Sequence, residues 1–314
     1  MAYKFDVDEP VRRAVVRCAS EQLDRAVSEL SERINDDPVR AVHNARKAIK
    51  QERSLLRLAR GAMPATDRRR ENQALREAAR ELSGTRDADV MIATLDALAD
   101  RFAGQLPAKT FDAIRDQFRP RSGQRPSAAL EARAVQELGA LRVGVDDWKL
   151  RRGGWKAIES GLLRSYTRGR NAFARARARR STEDLHAWRK RVKDLWYHQR
   201  LLAPICGPGV RGQAKDAHRL ADLLGDDHDL ALLRQELASN TMSVPVDLGA
   251  VVELIDHRRQ ELQTEAVALG ERVYADSPKA FKRRMRLSWN AGRALAGAPR
   301  ESQPAQVAAA TRAP

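Results

Sequence analysis

Two stretches of the chain gather cations at helical spacing. In "HNARKAIKQERSLLR", which starts at His43, the side chains of His43, Arg46, Lys47, Lys50, Arg53 and Arg57 fall within about a third of a helix circumference, at about 100° per residue. Ala45, Ile49, Leu55, Leu56 and Ala59 take the opposite arc. "HAWRKRVKDLWYHQR", starting at His186, repeats the pattern: His186, Arg189, Lys190, Lys193 and Arg200 on one arc, Leu185, Trp188, Val192 and Leu195 on the other. Solvated helix faces ordinarily mix signs, because like charges one turn apart destabilise a helix by about 0.2–0.5 kcal/mol per pair. Here Glu52 and Asp194 are the only acids within the two stretches. Cations repeated at every turn of about 5.4 Å suit a long anion of repeating charge better than one small metabolite. Lys supplies a mobile point charge and Arg a planar fork for two phosphate oxygens. A histidine beside phosphate gains a proton and becomes a further cation.

For a single helix of this kind a solvated polar face is the simpler reading. The recurrence changes that. "VHNARKAIK" and "LHAWRKRVK" align at an offset of 143, from His43 to His186. "LSGTRDADV" and "LGDDHDLAL" align at 142, from Arg86 to His228, with Asp87 matching Asp229. Two features in the same order at nearly equal offsets indicate a duplicated helical unit. The expected fold is all-α: two four-helix bundles related by a pseudo-two-fold axis, with the stripes facing each other as a basic central cavity.

The elements that must position these residues read as helices throughout, since Ala, Leu, Arg and Glu dominate and strand alternation is missing. They are expected near 10–34, 38–60, 66–82, 87–102 and 127–143, then near 155–178, 182–203, 210–224, 228–240, 246–274 and 278–296. Asp37 before Pro38 is a cap and first-turn pair, and Ser181 with Asp184 is a capping box. "GAMP" at Gly61 and "CGPG" at Cys206 punctuate the ends of the basic helices. The stretch 104–126 reads as an exposed linker, and Asp226 and Asp227 as acids at a helix N-terminus after Gly225. One duplicated domain is expected over 1–297, with repeat units near 5–145 and 150–297 and a disordered tail over 298–314.

Lys and Arg total 58 against 42 for Asp and Glu, a net charge of +16. Such an excess attracts polyanions over long range, whether nucleic acid, anionic lipid or a phosphate polymer. An aromatic content of 5% supplies few stacking platforms for unpaired bases. No apolar run is long enough to span a membrane, and "MAYKFDVDEP" lacks the apolar stretch of a signal peptide, so a cytoplasmic location is expected. Cys18 and Cys206 have neither metal-ligand nor disulfide spacing and read as buried small hydrophobes.

"GDDHD" beside His218 offers a metal-dependent phosphohydrolase as an alternative, but the duplicate of His228 is Arg86, which holds no metal. Asp87 and Asp229 read instead as capping or salt-bridging groups. "KAFKRRMR" sets Lys279, Lys282, Arg283 and Arg286 on one helix face, either an extension of the anion surface or a solvated terminal helix. Nucleophile elbows, phosphate loops and zinc spacings are missing, so the expectation is a binding protein with no cofactor, no metal and no catalysis.

The motifs "VHNARKAIKQERSLLRL", "LSGTRDADV", "GLLRSYTRGR", "LHAWRKRVKDLWYHQRLL", "LLGDDHDLALL" and "ERVYADSPKAFKRR", in that order, resemble the CHAD domain, the conserved histidine α-helical domain. The resemblance implies two four-helix bundles around a basic cavity that binds inorganic polyphosphate, often at polyphosphate granules. By matching motif it implies contacts from His43, Arg46, Lys47, Lys50, Arg53, His186, Arg189, Lys190 and Lys193. Tyr166 and Arg170 join them through "YTRGR", and Tyr197 and Arg200 extend the second stripe. Lys47 and Lys50 stand where the family often has Arg, keeping charge but losing forks. No CYTH-like triphosphate-tunnel domain, which precedes many relatives, is read in the sequence. The reading is polyphosphate binding, with nucleic-acid binding as the alternative. Nothing in the sequence names a protein partner.

Overall fold

The computed structural model describes residues 3–82, 87–239 and 248–297, apart from the Asp87 side chain, and every regular element among them is helical. The chain forms α1 (Val11–Ser31), α2 (Pro38–Leu58), α3 (Ala65–Glu81), α4 (Asp87–Arg101), α5 (Ala108–Phe118) and α6 (Ala128–Val145). It continues with α7 (Gly154–Arg179), α8 (Thr182–Cys206), α9 (Pro208–Ala238), α10 (Leu248–Val273) and α11 (Pro278–Gly297). Short 3-10 turns follow α1, α2 and α5. The proposed tail lies outside the described residues.

Both stripe-bearing helices start where the sequence places them. The Asp37 carboxylate accepts the Arg40 amide at 2.9 Å, and Pro38 fills the first turn, where its missing N–H costs nothing. The Ser181 hydroxyl accepts the Asp184 amide at 3.2 Å at the start of α8. α8 carries Pro204 in its last turn and ends at Gly207, whose φ of 83° suits only glycine without strain.

α2 packs between α1 and α3, and α6 closes that group against α1 and α3. In the second half α8 packs between α7 and α9, and α10 closes the group against α9 and α7, with α11 laid over α7 and α8. α4 pairs with α5 and reaches across to α9 and α10. One apolar core runs through both halves, from Phe5, Leu55 and Leu75 to Trp188, Leu233 and Phe281. Cys18 and Cys206 are free thiols buried in it.

Two expectations are corrected. Residues 104–126 are not an exposed linker: α5 occupies much of the stretch and buries Phe111, Ile114 and Phe118. The two helices expected at 210–224 and 228–240 are one, α9, so Asp226 and Asp227 sit mid-helix and start nothing. Gly225 is an interior residue of α9, where an added Cβ would meet the Arg189 guanidinium at about 3.4 Å, an ordinary contact distance.

Candidate functional site

α2 and α8 meet directly. Their crossing is fixed by His198, fully buried, whose Nε2 lies 2.9 Å from the Ser54 carbonyl. Burial holds the His198 imidazole down to about 4, so the ring is neutral and donates this bond. Beside it Arg57 of α2 donates to the Asp194 carboxylate of α8 at 3.0 Å. Tyr3 donates from below to the Gln51 carbonyl at 2.7 Å, and the Phe5 amide donates to the Leu201 carbonyl at 2.9 Å, so the N-terminal segment clamps both helices.

The stripes flank that crossing. Lys193 is half-buried, and its ammonium is pushed down to about 8, first by burial and then by Arg189, with Lys47 of α2 adding to the effect. Asp222 and Asp229 pull it the other way. Lys47 and Lys193, from different helices, therefore lie within reach of each other's charge. His186 packs against His228 of α9 with ring centroids 4.1 Å apart and the ring planes tilted by 31°. Both imidazoles are held at about 4, chiefly by burial; His228 and the cations Lys190 and Arg189 add to this at His186, and Arg189, Lys190 and Arg259 at His228. Lys50 and Lys190 are exposed, while His43 and Lys47 are half-buried on the same arc of α2. Arg46 and Arg53 face α3: Arg46 donates to the Leu82 carbonyl at 3.0 Å, and Arg53 to Asn72 at 3.2 Å. Each keeps further guanidinium donors.

The two acids in the stripes do not dilute them. Glu52 points to the opposite side and is 1% exposed, its carboxyl raised to about 8 by burial and by Glu71. Asp194 is consumed by Arg57 and Arg191.

Five expected contact residues lie elsewhere. Tyr166 is core: its ring stacks on Phe281 at 3.8 Å and its hydroxyl donates to the Asp276 carbonyl at 2.9 Å. Arg170 turns to the Tyr274 carbonyl on the α10 side of α7. Tyr197 is buried between Trp196 and Tyr3. Arg200 lines a separate pocket of about 350 Å³ with Lys4, Trp196, Arg211 and Lys215. Lys282 is ion-paired with Glu159.

Other cations occupy the seam in their place. Arg57, Arg60, Arg164, Arg168 and Arg191 converge with Asp194 on a small cavity between α2, α7 and α8. Burial, then Arg164, Arg68 and Arg168, lower the Arg60 guanidinium; burial, then Arg69, Arg164 and Arg57, lower that of Arg68. The signal was present in "GLLRSYTRGR": Arg164 and Arg168 share one face, and Tyr166 and Arg170 the other. Gly161 makes the approach possible, because a Cβ there would lie 2.1 Å from the Leu58 carbonyl oxygen.

A cleft of about 520 Å³ among α4, α9 and α10 has an apolar floor and mixed charge, with Asp89, Asp226 and Asp229 facing Arg101 and Arg258. Its acids do not suit a polyanion. Among the described residues no three metal-ligating side chains converge. Asp227 holds Arg259 and Gln263, at 3.1 and 2.8 Å. The expected match of Arg86 and Asp87 to His228 and Asp229 falls partly outside the described residues.

The model of the CHAD domain family matches residues 17–238, more than half of the chain. The chain belongs to the CHAD domain family. The matched span covers α2, α7, α8 and α9, which carry the two stripes and the arginines of the seam. α10 and α11 of this CHAD protein lie beyond it yet pack on α7, α8 and α9, and Arg293 of α11 donates to the Glu9 carbonyl at 2.8 Å. None of the curated proteins compared with the chain matches it. No described helix is long and apolar enough to cross a membrane.

Proposed function

We propose that this CHAD protein binds inorganic polyphosphate along the cationic faces of α2 and α8, without catalysing its turnover. The observation that carries the reading is the crossing of the two helices at Ser54–His198 and Arg57–Asp194, with Lys47 and Lys193 near enough to bear each other's charge. Membership of the CHAD family agrees with it. His43, Arg46, Lys47, Lys50 and Arg53 line one side, and His186, Arg189, Lys190 and Lys193 the other. Arg57 stands at the crossing.

A duplicated unit with a pseudo-two-fold axis underlies the seam in this reading. α1, α2 and α3 begin 143, 144 and 143 residues before α7, α8 and α9 respectively. Ser54 contacts His198, one position from its own counterpart at an offset of 143, which is what an axis passing between α2 and α8 demands. The continuous α9 then corresponds to α3 and α4 together. A long phosphate chain would bridge the two units, and recruitment to polyphosphate granules would follow from that binding.

Nucleic acid is the competing ligand that the charge permits. The aromatic side chains disfavour single strands: Trp188 is fully buried, Trp155 and Trp289 nearly so. Competition decides between them. Long-chain polyphosphate is expected to displace labelled duplex DNA or RNA at a far lower phosphate concentration than either displaces polyphosphate. Equal or reversed potency contradicts the proposal. Phosphate release from polyphosphate with Mg²⁺ or Mn²⁺, lost on His228→Ala, would establish the hydrolase instead.

A further inference from the structure

Apart from Arg57, the arginine cavity between α2, α7 and α8 draws on residues outside the two stripes. Arg191 lies two residues from Arg189, about 200° around α8, and so faces away from the stripe side of that helix. Arg164 and Arg168 belong to α7, which carries neither stripe. Among the described residues, Arg60, Arg68, Arg164 and Arg168 make no ion pair and no side-chain hydrogen bond. The Nε of Arg68 is buried without a partner. Among the described residues Asp194 is the only acid lining the cavity, and it is already shared by Arg57 and Arg191.

An ordinary solvated arginine pairs with a neighbouring carboxylate or spreads into water. Arg60 and Arg68 are half-buried: the close approach that Gly161 permits holds α7 against the end of α2, Arg60 bears the charge of Arg164, Arg68 and Arg168, and Arg68 that of Arg164 and Arg57. Five guanidinium groups line the cavity against one carboxylate, and Arg68 lies close enough to Arg60 to add its charge, which leaves a large uncompensated positive charge that a compact anion relieves. Planar forks suit the paired oxygens of a phosphoryl group. The cavity itself holds only about 30 Å³, room for a water or so. A phosphoryl group must therefore seat at its mouth, gripped by the exposed Arg164 and Arg168.

We propose that Arg57, Arg60, Arg68, Arg164, Arg168 and Arg191 form a second anion site, a socket for a compact oligophosphate. Its residues, Arg57 apart, are not those of the polyphosphate reading, so the two stand or fall separately. Two sources share this chemistry: a free short oligophosphate, or the terminal residues of a long chain.

The test is calorimetric titration of the full chain with tripolyphosphate. Wild type is compared with Arg164→Gln/Arg168→Gln and with Lys50→Gln/Lys193→Gln. Arg164 and Arg168 are exposed, so far-UV circular dichroism should show intact helices. The expected result is roughly a tenfold or greater loss of tripolyphosphate affinity in the socket variant, as two charge-assisted bonds are removed. The stripe variant, which also removes two cations, should lose clearly less tripolyphosphate affinity than the socket variant. Titration with long chains, with free or alkyl-capped ends, assigns the source. Chain-end capture shows as a loss in the socket variant confined to free-ended polymer; a free oligophosphate leaves long-chain affinity unchanged. Tripolyphosphate that fails to bind wild type, or binds the folded socket variant equally well, overturns the proposal. Long-chain binding lost only in the stripe variant would leave the polyphosphate reading standing.

Discussion

At the scale of single residues, the site is kept short of protons by burial first and by its own charge second. His186 and His228, packed together and ringed by Arg189, Lys190 and Arg259, stay neutral until about pH 4. A polyanion laid over them supplies the missing counter-charge and raises both. Binding is therefore expected to take up protons and to tighten as pH falls from about 7 towards 5. Calorimetry in buffers of different ionisation enthalpy reads that uptake. Lys193 sets the upper limit: with its ammonium at about 8, affinity should weaken as pH rises past that value. Glu52 gives a stability counterpart. Its folded value of about 8 lies above the ordinary carboxylate value of 4.5, so its contribution is complete below about 4.5 and is lost as pH rises through about 8. Glu52→Gln, which keeps the shape without the titration, is expected to flatten that decline. Thermal melts of both proteins at pH 5 and pH 8.5 check it; parallel declines would show that Glu52 is not the group responsible.

At the scale of elements, the seam depends on a close approach and one ion pair. Gly161→Ala puts a methyl group into the Leu58 carbonyl and must push α7 off α2, lowering the melting temperature by several degrees. Asp194→Ala leaves Arg57 and Arg191 facing each other unpaired and should cost about 1–3 kcal/mol in urea unfolding. A cost near zero would mean that solvent already carries that pair. The helices and their starts were legible because cap chemistry at Asp37 and Ser181 and the apolar arcs of α2 and α8 are local signals. α5 was not: the Gly, Pro and Arg around it suggested a linker, while Phe111, Ile114 and Phe118 gain meaning only when buried beneath neighbours. Gly225 misleads for a similar reason: a lone glycine suggests a break, yet α9 runs through it because its neighbours Leu223, Leu224 and Asp227 are buried in the helix packing. On α7 the motif was recognised but its register was not, because nothing local says which face meets α10 and α11. Tyr166 and Arg170 took that face, leaving Arg164 and Arg168 towards α2.

At the scale of the whole molecule, a net charge of +16 and the two cationic stripes predict a polyelectrolyte's salt response. The logarithm of affinity for long-chain polyphosphate should fall linearly with the logarithm of salt concentration, by analogy with counterion release from nucleic acid. Neutralising Lys47 and Lys193 together should make that slope shallower without changing helicity. The central claim is that α2 and α8 share one long anion. It is tested most directly by titrating polyphosphates of increasing length into wild type and a folded Lys50→Glu/Lys193→Glu variant. The predicted result is an affinity that climbs with chain length in wild type and stays low at every length in the variant. Equal affinity for long chains in the two proteins would contradict it.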